Sequence, residues 1–199
     1  IIKNCHVKGG SISGIGGGPC GGLFGGGFED GFGEGTGGSG KGFGGTAIGC
    51  TNSASVITST ITYYVGGIGG FGNAIDCTNT GTVTGSGYYI GGILGGSNGQ
   101  VTGNKNQGKV TGGVYAGGIV GGIEDGTLEN NSNFGDVFGT EEGKLGGIFG
   151  WLDESSTTQS GNTYQCIVKV IVVDQDFTVK IEPEVTTYTV YTAEGLEIW

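Results

Sequence analysis

Asparagines at positions 52, 79, 106 and 133 stand 27 residues apart, three times over. A period this short is no chain of separate domains; each copy must bury its apolar side against its neighbours. Four residues after each asparagine comes a valine: Val56, Val83, Val110 and Val137. In three copies that valine is centred in Gly-x-Val-x-Gly, at 81–85, 108–112 and 135–139, whereas the first copy has Ala54 and Thr58. A Gly-Gly-Ile signature follows at 66–68, 91–93, 117–119 and 146–148. Its isoleucines are 25, 26 and 29 residues apart, so length varies in the connection between the two segments. Asn4-Cys5 matches Gly49-Cys50 and Asp76-Cys77, and Gly21-Gly22-Leu23 matches the Gly-Gly-aliphatic signature. Residues 1–47 therefore read as one more copy, with a glycine-rich insertion around 26–47.

Each copy offers short β-prone runs between glycine turns, and no helical period of 3.6 is sustained. With 51 glycines in 199 residues and no Gly-X-Y period, the chain is neither an ordinary packed domain nor collagen. The pattern predicts an all-β fold, a parallel β-solenoid (right-handed β-helix) of about five glycine-rich coils with a short C-terminal β segment. The right hand comes from the general preference of parallel crossovers. Coils stacked about 4.8 Å apart would align the valines and isoleucines as inward columns. The asparagines would sit at a turn, their amides bonding to the coils on either side. The paired glycines suit positive φ or close backbone approach at corners.

After Cys166 the repeat stops and glycine becomes rare. Residues 167–173 and 185–192 read as strands rich in Val, Thr and Tyr. The expected division is a solenoid over 1–165 and a β segment over 166–199, either a cap or the start of a following domain.

The segments Asp76-Cys77-Thr78-Asn79-Thr80-Gly81-Thr82-Val83 and Tyr89-Ile90-Gly91-Gly92-Ile93-Leu94-Gly95 resemble the GLUG-motif repeat proteins. The next copy repeats the pattern in Asn106-Gln107-Gly108-Lys109-Val110 and Ala116-Gly117-Gly118-Ile119-Val120-Gly121. The resemblance covers about residues 1–165. It implies a bacterial protein, secreted or at the cell surface, and an adhesin-like or scaffold role. The chain, which lacks an initiator Met, reads as a piece of a larger protein. Partners implied are a host or matrix glycan or protein, or neighbouring copies and domains.

Charge and chemistry narrow the function. Eighteen acids against eight lysines, with no arginine, argue against nucleic acid, because phosphate contacts need clustered cations. No apolar stretch approaches the ~20 residues of a transmembrane helix. His6, the only histidine, excludes an HExxH zinc site and leaves one possible base for a triad. Cys5 and His6 are adjacent, so on a strand they point to opposite faces. Gly35–Lys41 imitates a phosphate loop, but Gly42 replaces the hydroxyl residue that would hold magnesium. The acidic pairs Glu29-Asp30, Glu124-Asp125, Glu141-Glu142 and Asp153-Glu154 are sequence neighbours, better suited to a solvated rim than to opposing carboxylates across a sugar. No catalytic residue, metal site or cofactor is expected. A polysaccharide-acting β-helix enzyme is the alternative function. Tyr63, Tyr64, Tyr88, Tyr89 and Tyr115 precede the Gly-Gly-Ile segments, and Tyr88, Tyr89 and Tyr115 are the candidate ligand-binding strip. The other reading of these tyrosines is one ring packed inward and its neighbour stacked between coils. Five cysteines form no metal-ligand spacing; Cys5, Cys50 and Cys77 are expected as buried free thiols in one column.

Overall fold

The computed structural model describes residues 1–14, 17–28, 42–59, 61–139 and 144–170, with the short segments 172–173, 179–180, 190–191 and 197–198. Among the described residues every element is a strand, and the principal ladders are all parallel. The chain coils through four faces in turn. The first is a six-stranded sheet of two-residue strands, His6–Val7, Thr51–Asn52, Thr78–Asn79, Lys105–Asn106, Ser132–Asn133 and Thr163–Tyr164. The valine sheet comes next, from Ser11–Gly14 and Ser55–Thr58 through Val83–Gly85, Val110–Gly112 and Val137–Gly139 to Val168–Val170. A five-stranded tyrosine sheet follows: Cys20–Gly21, Tyr64–Gly66, Tyr89–Gly91, Tyr115–Gly117 and Lys144–Gly146. The fourth face is a nine-stranded sheet folded at a corner. The β-solenoid has about four turns, slightly fewer than the five coils expected from the repeat.

The repeat is a register. Val83 pairs with Val56 and Val110, and Val110 with Val137, all fully buried. The isoleucine column holds despite its uneven spacing, with Ile68 N–H donating to Ile93 O at 2.9 Å, Ile93 to Ile119 at 2.9 Å and Ile119 to Ile148 at 2.8 Å. Residues lost or gained before the isoleucines are restored at the corner of the fourth face. There Phe71 to Ala74, Gly96 to Val101, Gly122 to Leu128 and Trp151 to Gln159 span equivalent positions with growing length.

The core is divided in two. One cluster gathers Cys50, Ile68, Cys77, Ile93, Ile119 and Ile148, the other Val56, Val65, Val83, Ile90, Val110 and Val137. Between them runs the buried asparagine column. Asn52 Nδ2 donates to Asn79 Oδ1 (2.9 Å), Asn79 to Asn106 (3.0 Å) and Asn106 to Asn133 (2.9 Å). Across the core the column meets Gly67, Gly92 and Gly118, where a Cβ would strike the amides of Asn79, Asn106 and Asn133. None of these glycines has positive φ, so close approach is what the Gly-Gly pair supplies.

Positive φ appears instead once per coil just before the asparagine sheet: Asn4 (51°), Gly49 (61°), Asp76 (53°), Gly103 (69°), Asn130 (55°) and Gly161 (63°). Asn and Asp tolerate this left-handed region best after glycine. The two classes alternate, because a Cβ on Gly49, Gly103 or Gly161 would meet Oδ1 of Asn4, Asp76 or Asn130 in the preceding coil.

The insertion is shorter at its C-terminal end than the sequence pattern indicates. Gly45–Ile48 is already a solenoid rung paired with Ile2–Lys3 and Gly72–Ile75, while Gly27–Phe28 and Gly42–Phe43 pair antiparallel. At the other end the valine ladder continues to Val170, and Val172–Val173 then pairs antiparallel with Val179–Lys180.

Candidate binding surface

The tyrosine candidates form two adjacent stacks. In the inner one, Tyr64, Tyr89 and Tyr115 occupy equivalent rungs, with centroids 5.1 Å and 5.0 Å apart and planes within 11° and 15°. In the outer one, Tyr63 stacks on Tyr88 at 5.0 Å, both at the surface. None of these five tyrosines belongs to either core cluster, and their rings stack face to face between neighbouring coils. The outer stack of Tyr63 and Tyr88 is exposed, while the inner rings are half-buried.

The inner rings lean over glycine. Phe71, Gly96, Gly122 and Trp151 form one column of the fourth face. A Cβ at Gly96 would hit the Tyr64 ring and one at Gly122 the Tyr89 ring. Phe71 meets Tyr64 edge-on at 5.0 Å, and Trp151 approaches Tyr89 at 6.3 Å and 62°. Burial raises the Tyr64 phenol well above the usual tyrosine range, reinforced by Tyr89, Glu124 and Tyr63. Tyr89 is raised by burial first, then by Tyr115 and Glu124.

Beyond Tyr115 the row ends at Lys144, its partner in the next rung. Lys144, Phe149, Gly150, Trp151, Leu152 and Glu154 line a hollow of about 90 Å³. Trp151 and Lys144 belong to this surface and are not signalled by the repeat. They depart from it, standing where other coils have glycine and tyrosine.

The remaining candidates separate. His6 lies exposed on the first rung, its Nδ1 2.8 Å from Thr51 Oγ1, while the Cys5 thiol donates to Lys3 O at 3.5 Å rather than to His6. Glu124-Asp125 and Asp153-Glu154 occupy neighbouring surface corners, and Asp153 Oδ1 accepts from the Ser155 N–H (2.9 Å) and hydroxyl (2.7 Å). Those bonds hold the Asp153 carboxyl below its usual range. Glu29-Asp30, Glu141-Glu142 and Gly35–Lys41 lie outside the described residues. Among the described residues no three His, Cys, Asp or Glu side chains converge as a metal site, and no helix is long and apolar enough to cross a membrane.

Cys5, Cys50 and Cys77 do share a column, but Cys5 is exposed rather than buried, because it belongs to the first rung. Above Cys77 the column turns to Asn104, Asn131 and Asn162, a second amide ladder with Nδ2-to-Oδ1 contacts of 3.0 and 2.9 Å. The 27-residue interval from Asn104 to Asn131 is its signal in the sequence, obscured because cysteines hold the same place in earlier coils. No family model, curated protein or solved structure matches the chain.

Proposed function

We propose that the chain is a non-catalytic structural or adhesive module, a stalk or binding repeat of a larger bacterial surface or secreted protein. The observation that carries this reading is how completely the ladders consume their own functional groups. Asparagine amides bond to asparagine amides and tyrosine faces cover tyrosine faces. Among the described residues the acidic corners sit on the rim, and the hollow beside Trp151 is lined by one carboxylate, Glu154, where a glycosidase needs two facing each other. A partner would meet the exposed Tyr63–Tyr88 edge, with the half-buried Tyr89 and Tyr115 beside it, weakly at each coil, gaining through repetition.

The test is turnover by purified protein on polyuronates and neutral glycans, with and without calcium. No cleavage is expected. Cleavage that a single substitution at Glu124, Asp153 or Glu154 abolishes would replace this reading with the polysaccharide-acting enzyme.

A further inference from the structure

The register pairs of the first two coils, Lys3 with Ile48 and His6 with Thr51, set Cys5 directly opposite Cys50. The Cys5 N–H donates to Cys50 Sγ at 3.4 Å, and the Thr51 N–H to Cys5 O at 2.9 Å, so the two residues are held in adjacent rungs. Neighbouring parallel strands lie about 4.8 Å apart, inside the Cα separations of about 4.4–6.8 Å that disulfides bridge. Cys5 is exposed and Cys50 is buried behind it.

We propose that Cys5 and Cys50 are a disulfide site, closed by a low-molecular-weight disulfide of the glutathione type, which staples the first coil to the second. The Cys5 thiolate attacks one sulfur of the reagent, forming a mixed disulfide and expelling one thiolate. Cys50 then attacks the Cys5 sulfur and expels the second. The two protons given up by the cysteines go to the two released thiols, so protein loses two hydrogens and reagent gains them.

The other thiols are set apart by their surroundings. Cys77 shares the column and its thiol also meets the Cys50 backbone and thiol, yet unlike Cys5 it is fully buried, out of reach of a dissolved reagent, and burial raises its thiol above the usual range. Cys20 lies in the tyrosine sheet, paired in register with Val65, and Cys166 sits against Asn133 Nδ2 at 3.2 Å. The Cys5–Cys50 link also has the most to constrain. Those residues are 45 apart, against 27 for Cys50 and Cys77, because the insertion lies between them. The longer loop loses more freedom in the unfolded chain when it is closed.

The experiment incubates the purified full chain with oxidised glutathione, blocks remaining thiols, and maps peptides after combined tryptic and chymotryptic digestion. The expected product joins the Asn4–Lys8 peptide to the one containing Cys50, lighter by two hydrogens, with Cys20, Cys77 and Cys166 blocked as free thiols. Cys5→Ser, at an exposed position, should abolish the link without disturbing the fold, and Cys77→Ser should retain it. Glutathione remaining on Cys5, a Cys50–Cys77 link, or five free thiols would each overturn the proposal.

Discussion

Asn106 uses every proton and lone pair its amide has. Nδ2 donates to Gly108 O at 2.8 Å and to Asn133 Oδ1 at 2.9 Å, while Oδ1 accepts from Asn79 Nδ2 at 3.0 Å and the Gly108 N–H at 3.2 Å. Removing it strands a buried donor below and a buried acceptor above, each costing about 1–3 kcal/mol. Asn106→Ala should therefore lower the unfolding free energy in urea by about 3 kcal/mol; a loss under about 1 kcal/mol would show that the column is dispensable. Val110→Asp puts an unpaired carboxylate among buried valines and should cost about 4 kcal/mol or more. Lys109→Asp alters an exposed residue whose Nζ sits 4.5 Å from the Phe138 ring centre, and should cost no more than about 1 kcal/mol. Equal melting temperatures for the two variants would contradict the inward and outward assignments. Both of those directions are legible in the sequence, since alternation about Val110 places its neighbours outside. The role of Gly92 is not: a glycine pair announces a tight place, but only the folded cross-section reveals that Asn106 fills it.

Between coils, the unit of cohesion is the stacked pair, and the tyrosine sheet shows what it does to acid–base behaviour. Tyr64 and Tyr89 have phenols raised by burial, so the folded chain holds their protons more tightly than the unfolded chain does. Stabilisation is thus complete below the unfolded tyrosine pKa of about 10 and declines as pH rises past it, because the unfolded state ionises first. Urea midpoints should be flat from neutral pH to about pH 9 and fall above about pH 10, and Tyr64→Phe, which keeps the ring, should flatten that alkaline decline. An unchanged decline in that variant would move its cause elsewhere. The aromatic signal is readable as a tyrosine recurring before three of the four Gly-Gly-Ile segments. Its geometry is not, because the choice between inward and outward rings depends on Gly96 and Gly122, which lie on a different face of the next coil.

Over the whole molecule, the middle coils are the most enclosed, and the first rungs, from Ile1 to Ser13, are largely exposed. Each coil touches only its neighbours, so openings should start at the ends. Amide hydrogen exchange should be fastest in His6–Val7 and Ser11–Gly14 and slowest in Val83–Gly85 and Val110–Gly112; uniform protection would indicate one cooperative block. The solenoid itself is legible from the asparagine interval, since one register fixes every ladder it touches. The left-handed corner is less so, being written in Asn, Gly and Asp rather than in one repeated residue. Its alternation carries a lesson about ancestry. A chain lengthened by copying one 27-residue segment would set two side chains of this corner against each other or leave two glycines together, whereas copying 54 residues reproduces the order from Asp76 to Asn130. Growth by gene duplication should therefore proceed in even steps. Deleting residues 77–103, which brings Asp76 next to Asn130, should destabilise the corner more than deleting 77–130, which brings Asp76 next to Gly161.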